Sequence, residues 1–257
     1  MVILKTEQDI EKMEDSGYIV AEVLYELRKS IEPGITTKYL NDKAEKIIRQ
    51  HKAIPGFLNY EGFPFTICAS INEEVVHGFP SDRKLVEGDI ISIDVGVNYN
   101  GWFGDACFSA PVGEVSPEAE KLLRVTEECL KVGIIQAKPG GNLENISYGI
   151  QLHAEKNGFN VIRDYVGHGI GRNLHEAPQV KNYGKLGRGI LLKPGMVIAI
   201  EPMVVEGSFE TEKLKNGWTV VTKDRKLAAH FEHTVAITSS GPAILTINKK
   251  MLEALDK

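Results

Sequence analysis

Residues 85–94 read LVEGDIISID and residues 191–201 read LLKPGMVIAIE; each opens on leucine, turns through glycine, runs into apolar β-formers and closes on an acid. The closing acids, Asp94 and Glu201, stand 107 positions apart, and Pro33 and Pro139, which break the helical patterns upstream, stand 106 apart. Two near-equal offsets mark an internal repeat of one supersecondary unit. Each unit reads helix, Pro-Gly break, helix, strands.

The helices are carried by periodicity. Ile10, Met13, Val20, Leu24, Leu27 and Ile31 keep helical spacing behind a cap at Thr6 and stop at EPGITT; KYLNDKAEKIIRQH (38–51) follows as a second helix. SPEAEKLLRVTEECLKVGIIQAKPGGNLENISYGIQLHAEKNGF (116–159) does the same again. No Pro/Ser-rich linker parts the units. The expectation is one domain over 1–257, with internal halves of roughly 6–113 and 114–245. Helices grouped before runs of strands predict an α+β fold, a curved antiparallel sheet backed by helices on one side.

Composition narrows the function. A chain of 257 residues, 42% hydrophobic and 25% charged, can bury a sizeable core. A net charge of -5 and the lack of a long basic run give a phosphate backbone little to bind, so no nucleic-acid partner is expected. The first thirty residues are amphipathic and acid-rich, unlike a signal peptide, and no apolar run reaches the roughly 20 residues of a membrane span. A soluble cytoplasmic protein with no membrane partner is expected. Cys68, Cys107 and Cys129 are odd in number and lack C-x-x-C spacing, against a disulfide framework or a thiolate zinc site.

Four acids sit inside apolar strand patterns. In DIISIDVGVNY, Ile91, Ile93, Val95 and Val97 form one face and Asp94 lies on the other with Ser92 and Gly96. Asp105 lies in GWFGDACFSA, Glu201 in MVIAIEPMVV and Glu232 in AHFEHTVAIT. One such acid could simply face solvent or pair with a base. Four, brought together by the repeat, would repel one another unless cations neutralise them. Two divalent ions, about 3.5–4 Å apart, are the economical answer, and such a pair can activate a shared water for hydrolysis.

VGHGIGRNLHEAP (166–178) holds His168 and His175 among glycines. Gly167, Gly169 and Gly171 would each cost about 1 kcal/mol in a helix interior, and the preceding NVIRDYV favours β structure, so the stretch reads as a strand entering a glycine-permitted loop. His168 is the natural fifth ligand. A phosphate-cradling loop is a weak rival, since no Lys-Ser/Thr pair follows; a glycine-rich turn with two surface histidines is the blander one.

Assembled in order, Asp94, Asp105, His168, Glu201 and Glu232 stand within SINEEVVHGFP, IDVGVNYNGWFGDACFSA, GHGIGRNLHEAPQV, AIEPMV and GWTVVTKDRKLAAHFEHT. Across these segments, and over essentially the whole chain, the sequence resembles the bacterial type I methionine aminopeptidases, metallopeptidases of the pita-bread fold with pseudo-twofold halves. The resemblance implies two divalent metal ions, of cobalt, manganese, iron or zinc. It has Asp105 and Glu232 bridging both, Asp94 completing one site, and His168 with Glu201 the other. It implies that a metal-activated hydroxide removes the initiator methionine from nascent proteins with a small second residue, with Glu201 moving the proton.

By the same resemblance His77 and His175 are active-site histidines that face the substrate and bind no metal. The methionine pocket maps onto Phe57, Tyr60, Phe63, Cys68, Leu174 and Trp218. Phe57 stands where a cysteine is common and Leu174 where an aromatic is common, so inhibitor response is expected to differ while the pocket stays apolar. The partners implied are nascent polypeptide amino termini, with the ribosome as a candidate place of encounter, and the protein is expected to be a monomer. The first helix begins almost at residue 6, whereas Xaa-Pro peptidases carry an additional N-terminal domain. Only QVKNYGKLGRGILLKPGM separates HEAP from the Glu201 strand, leaving no room for the helical insertion of type II enzymes.

Overall fold

The computed structural model describes residues 1–247; positions 248–257 of the expected domain lie outside the described residues. Helix α1 spans Glu7–Arg28, and its start is a capping box: the Thr6 hydroxyl accepts from the Asp9 N–H while the Asp9 carboxylate accepts from the Thr6 N–H. Its buried face carries Met13, Val20, Val23, Leu24 and Leu27, laid against the strands Ile90–Tyr99 and Trp102–Pro111. Ile31 does not continue that stripe within the helix, because the chain tightens through a Ser30 N–H to Leu27 carbonyl bond of 2.9 Å and leaves helical geometry before Pro33. Ile31 still packs, half-buried, against the core.

Helix α2 (Thr37–Gln50) is capped by Thr36, α3 (Pro117–Gln136) by Ser116 with proline in its first turn, and α4 (Leu143–Lys156) follows the Pro139 break. The two helix pairs precede the strands as the repeat predicts.

The main sheet has nine strands, all paired antiparallel. Its order runs Ile54–Pro55, Ile90–Tyr99, Trp102–Pro111, Glu232–Thr238, Val197–Ile200, Gly167–Gly169 and Glu176–Val180, with Cys68–Ile71 joined to Ile90–Tyr99 and Gly241–Ile244 to Glu232–Thr238. The paired strands of the two halves therefore meet in the middle, where Trp102–Pro111 pairs with Glu232–Thr238. Thr234 clamps that seam: its Oγ1 accepts from the Asp105 N–H at 3.0 Å and donates to the Asp105 carbonyl at 2.8 Å. Two three-stranded sheets complete the β structure of the described residues.

Three strand expectations shift. MVIAIEPMVV is two strands, Val197–Ile200 in the large sheet and Met203–Val205 in a small one, with Glu201 at the break beside Pro202, which has no N–H to give a ladder. AHFEHTVAIT likewise divides at Phe231 into Ala228–His230 and Glu232–Thr238. Of NVIRDYV only Asn160–Val161 pairs as strand; Asp164, a residue type poorly suited to strands, lies where the chain leaves the sheet.

Candidate metal centre

The four acids lie on four adjacent strands or strand ends: Asp94 on Ile90–Tyr99, Asp105 on Trp102–Pro111, Glu232 opening Glu232–Thr238, and Glu201 directly after Val197–Ile200. Register aligns them. Cys68 pairs with Asp94, Asp94 with Cys107 and Cys107 with Glu232, so one row of side chains crosses four strands on a single face. Asp105 stands two residues from Cys107 on that same face. His168 comes from Gly167–Gly169, the strand between Val197–Ile200 and Glu176–Val180, where a Cβ on Gly167 would strike the Ala199 carbonyl and one on Gly169 the Ala177 carbonyl. The glycines beside His168 are thus required by close strand approach, and the imidazole is carried to the acids by that approach.

Ligand atoms of Asp105, His168 and Glu232 all lie within 4.8 Å of one another. His168 Nε2 is 3.6 Å from Glu201 Oε1 and 4.0 Å from Asp105 Oδ2, while its Nδ1 faces the Gly169 carbonyl at 2.9 Å. That carbonyl accepts from the Nδ1–H, which fixes the proton there and leaves Nε2 bare toward the acids. Burial, reinforced by His175, pulls the His168 pKa down to about 3, so the ring is neutral and able to ligate.

The carboxyls respond oppositely. Burial pushes Asp94 up to about 7, and raises Asp105 well above the usual carboxylate range, with Glu232 and Asp94 adding repulsion. Glu201 is raised by burial and then by Asp94 and Asp105; Glu232 by burial and then by Glu201 and Asp94. Asp94 Oδ1, Asp105 Oδ1 and Glu232 Oε1 are buried without a hydrogen-bond partner. Buried, clustered, unpartnered carboxylate oxygens beside a neutral imidazole are a donor set that fits divalent cations bound mainly through oxygen.

Every residue assigned from the sequence lines one cavity of about 140 Å³, small enough for a single side chain. Its apolar end is Phe57, Phe63, Cys68, Leu174 and Trp218, with Phe63 set edge-to-face on Trp218 at 5.2 Å between centroids. The Phe57 ring lies on Gly96, where a Cβ would come within 2.5 Å of it. Burial, with Asp94 and Asp105 nearby, raises the Cys68 thiol well above its ordinary range, so it stays a neutral part of this wall.

His77 and His175 both line the cavity. His77 has a left-handed backbone (φ 59°), uncommon for a residue with a side chain, and its carbonyl accepts from Thr219 Oγ1 at 3.2 Å. Burial, with His175 and Lys213, lowers its pKa to about 4. His175 Nδ1 pairs with the Tyr60 hydroxyl at 2.9 Å, and its ring meets that of His168 edge-on at 4.3 Å. The loop bearing Leu174 and His175 is anchored by a buried ion pair, Lys5 Nζ to Glu176 Oε2 at 2.6 Å.

The cavity also contains Glu61, Val76 and His230, which sequence reasoning passed over. His230 had a signal: it precedes Glu232 by two positions in an apolar pattern, the spacing that would share a face in an unbroken strand.

Residues 11–239 match the model of metallopeptidase family M24. The chain is 52% identical over 246 residues to methionine aminopeptidase 1 of Bacillus subtilis, covering 96% of this chain and 99% of that protein. It superposes on the crystal structure of methionine aminopeptidase from Rickettsia prowazekii with a TM-score of 0.95 at 44% identity, covering 96% of this chain and 100% of that one. A prolidase from Pyrococcus furiosus shares the fold at a TM-score of 0.77 and 24% identity, and this chain spans 66% of it. With a cavity whose buried acids and imidazole fit divalent cations and a match across most of its length, the chain belongs to metallopeptidase family M24.

Proposed function

We propose that this protein is a metal-dependent aminopeptidase that removes the initiator methionine from nascent proteins whose second residue is small. The observation that carries the reading is the junction, in one small cavity, of an apolar aromatic pocket with a buried group of four acids and a neutral histidine. Asp105 and Glu232 would hold two divalent cations in common, Asp94 would complete one site, and His168 with Glu201 the other. Cations there supply Lewis-acid activation of water and of the scissile carbonyl. Cobalt, manganese, iron and zinc all suit four carboxylates and one imidazole.

The remaining work falls to this chain's own side chains. The apolar pocket receives an unbranched, polarisable thioether against Phe57, Phe63 and Trp218. Glu201, whose carboxylate faces His168 on one side and His230 on the other, takes and returns the proton. His77 and His175, which both line the cavity, hydrogen-bond the scissile amide and its developing oxyanion. The halves 6–113 and 114–245 each contribute two acids to this single catalytic domain. No helix among the described residues is long and apolar enough to cross a membrane. The reading places the enzyme in the cytoplasm as a monomer, meeting amino termini as they leave the ribosome; co-sedimentation with ribosomes tests that last step.

His77→Ala and His175→Ala should bind metal as the wild type does, yet each should lose about 3 kcal/mol of transition-state stabilisation, roughly a hundredfold in kcat. Metal loss in these variants as complete as in a ligand variant would refute the assignment. A peptide series tests specificity. Amino-terminal methionine should be cleaved best, norleucine measurably, and Lys or Glu not at all, because an apolar pocket separates a single methylene by only about 1–3 kcal/mol but strands a buried charge. Equal cleavage of Met, Lys and Glu, or a strict demand for proline in second place, would instead identify a broad or Xaa-Pro peptidase.

A further inference from the structure

His230 is held on the cavity wall by a rigid main chain. Its N–H donates to Ser109 Oγ at 2.9 Å and its carbonyl accepts from the same hydroxyl at 2.8 Å, with Cys107 Sγ also directed at that carbonyl at 3.4 Å. The residue is 2% exposed, and its Nε2 is a buried nitrogen with no hydrogen-bond partner. Buried polar atoms of that kind call for an explanation. The nearest acceptors are both acids of the metal centre: Glu201 Oε2 at 3.8 Å and Glu232 Oε2 at 3.9 Å.

The Glu201 carboxylate therefore lies between two imidazoles, with Oε1 toward His168 and Oε2 toward His230. The rings differ in one decisive respect. Nδ1 of His168 faces the Gly169 carbonyl at 2.9 Å, which frees Nε2 as a bare lone pair. Nδ1 of His230 makes no hydrogen bond among the described residues, so nothing draws its proton away from Nε2, and the groups facing Nε2 are carboxylate oxygens. A neutral ring set this way donates.

We propose that His230 is a positioning residue, donating from Nε2 to the carboxylates of Glu201 and Glu232 and so fixing the orientation in which they would hold the cations. The separations exceed hydrogen-bond length by about 0.8 Å, which a small carboxylate rotation closes. The inference rests on the proposed metal-holding roles of Glu201 and Glu232, and the experiment keeps the two apart.

Manganese(II) is titrated calorimetrically into metal-free full-length wild type, His230→Leu and His230→Gln, and the loaded proteins are examined by pulsed electron paramagnetic resonance. The leucine variant should bind manganese about 10–100-fold more weakly, the loss typical of an outer partner, and glutamine, which keeps an N–H donor, should restore most of it. The spectra should show coupling to one directly bound imidazole, the same in all three proteins. Unchanged affinity in His230→Leu, no recovery in His230→Gln, or a second imidazole coupling lost with His230 would each overturn the proposal while leaving the metal reading intact. Wild type that bound no manganese would overturn both. If His230→Leu does not fold, nitrogen NMR of histidine-labelled wild type decides: Nε2 must carry the ring proton, and protonation at Nδ1 overturns the assignment.

Discussion

Replacing Asp105 by alanine is expected to remove bound metal and aminopeptidase activity together, leaving a protein as inactive as the fully chelated wild type. Asp105 is 3% exposed on the central seam, and the carboxyls of Glu232 and Asp94 repel its charge. Loss of an outer partner typically costs 10–100-fold in metal affinity, so loss of a carboxylate proposed to hold both cations should exceed about 100-fold. The same substitution removes a buried acid that its neighbours repel. The metal-free variant should therefore melt no lower than metal-free wild type near pH 8, despite the small cavity it creates. Metal content after desalting and a pair of thermal melts make the measurement; retention of two equivalents of metal by a folded Asp105→Ala protein would refute the site.

Metal removal should also reverse the pH dependence of stability. Four carboxyls have folded pKa values above their unfolded ones, Asp94 at about 7 against 3.8 and the others raised well beyond their ordinary range. Their contribution is present at low pH and is lost as pH rises through the folded values. The buried histidines act in the opposite sense: His77 and His233 are lowered to about 4 and His168 and His230 to about 3, so their contribution is lost as pH falls below 6.5. From about pH 7.5, roughly a unit above the unfolded histidine value, the histidines are essentially neutral in both states and the carboxyls decide the slope. Chelated protein should thus lose stability from about pH 7.5 to about 8.5, whereas cations bind the deprotonated acids and hold the loaded protein up. Melting temperatures with and without chelator at those two pH values give the test. A gap between loaded and chelated protein that stayed constant or narrowed with pH would contradict it.

Much of the architecture was legible because it is written in short-range terms. The Thr6 and Asp9 capping box, the serine and proline opening α3, and the apolar stripe of α1 are each set by residues within a few positions of one another. The alternation that isolates Asp94 from Ile93 and Val95 is equally local. The 106 and 107 offsets lifted these local signals to a two-part plan. The roles of His77, His175 and the pocket residues came from family resemblance and not from any pattern in the chain, and the structure gathers all of them around one cavity.

What local pattern could not carry was the meeting of distant segments. A run such as MVIAIEPMVV has the apolar content of one strand, and its division at Glu201 follows from Pro202 and from two different sheets competing for its halves. Phe57 lies on Gly96 because Gly56 hydrogen-bonds across to the Gly96 carbonyl at 2.7 Å, a pairing between positions forty apart. His230 turned toward Glu201 only when its strand was fixed on Ser109. The amino-acid order by itself determined the helices, their caps, the repeat and the unusual acids, since periodicity, capping and side-chain alternation are properties of neighbouring residues. Tertiary structure alone decided which oxygens and nitrogens face one another, because that depends on strand register and close backbone approach across more than a hundred residues, where long-range packing and desolvation outweigh local preference.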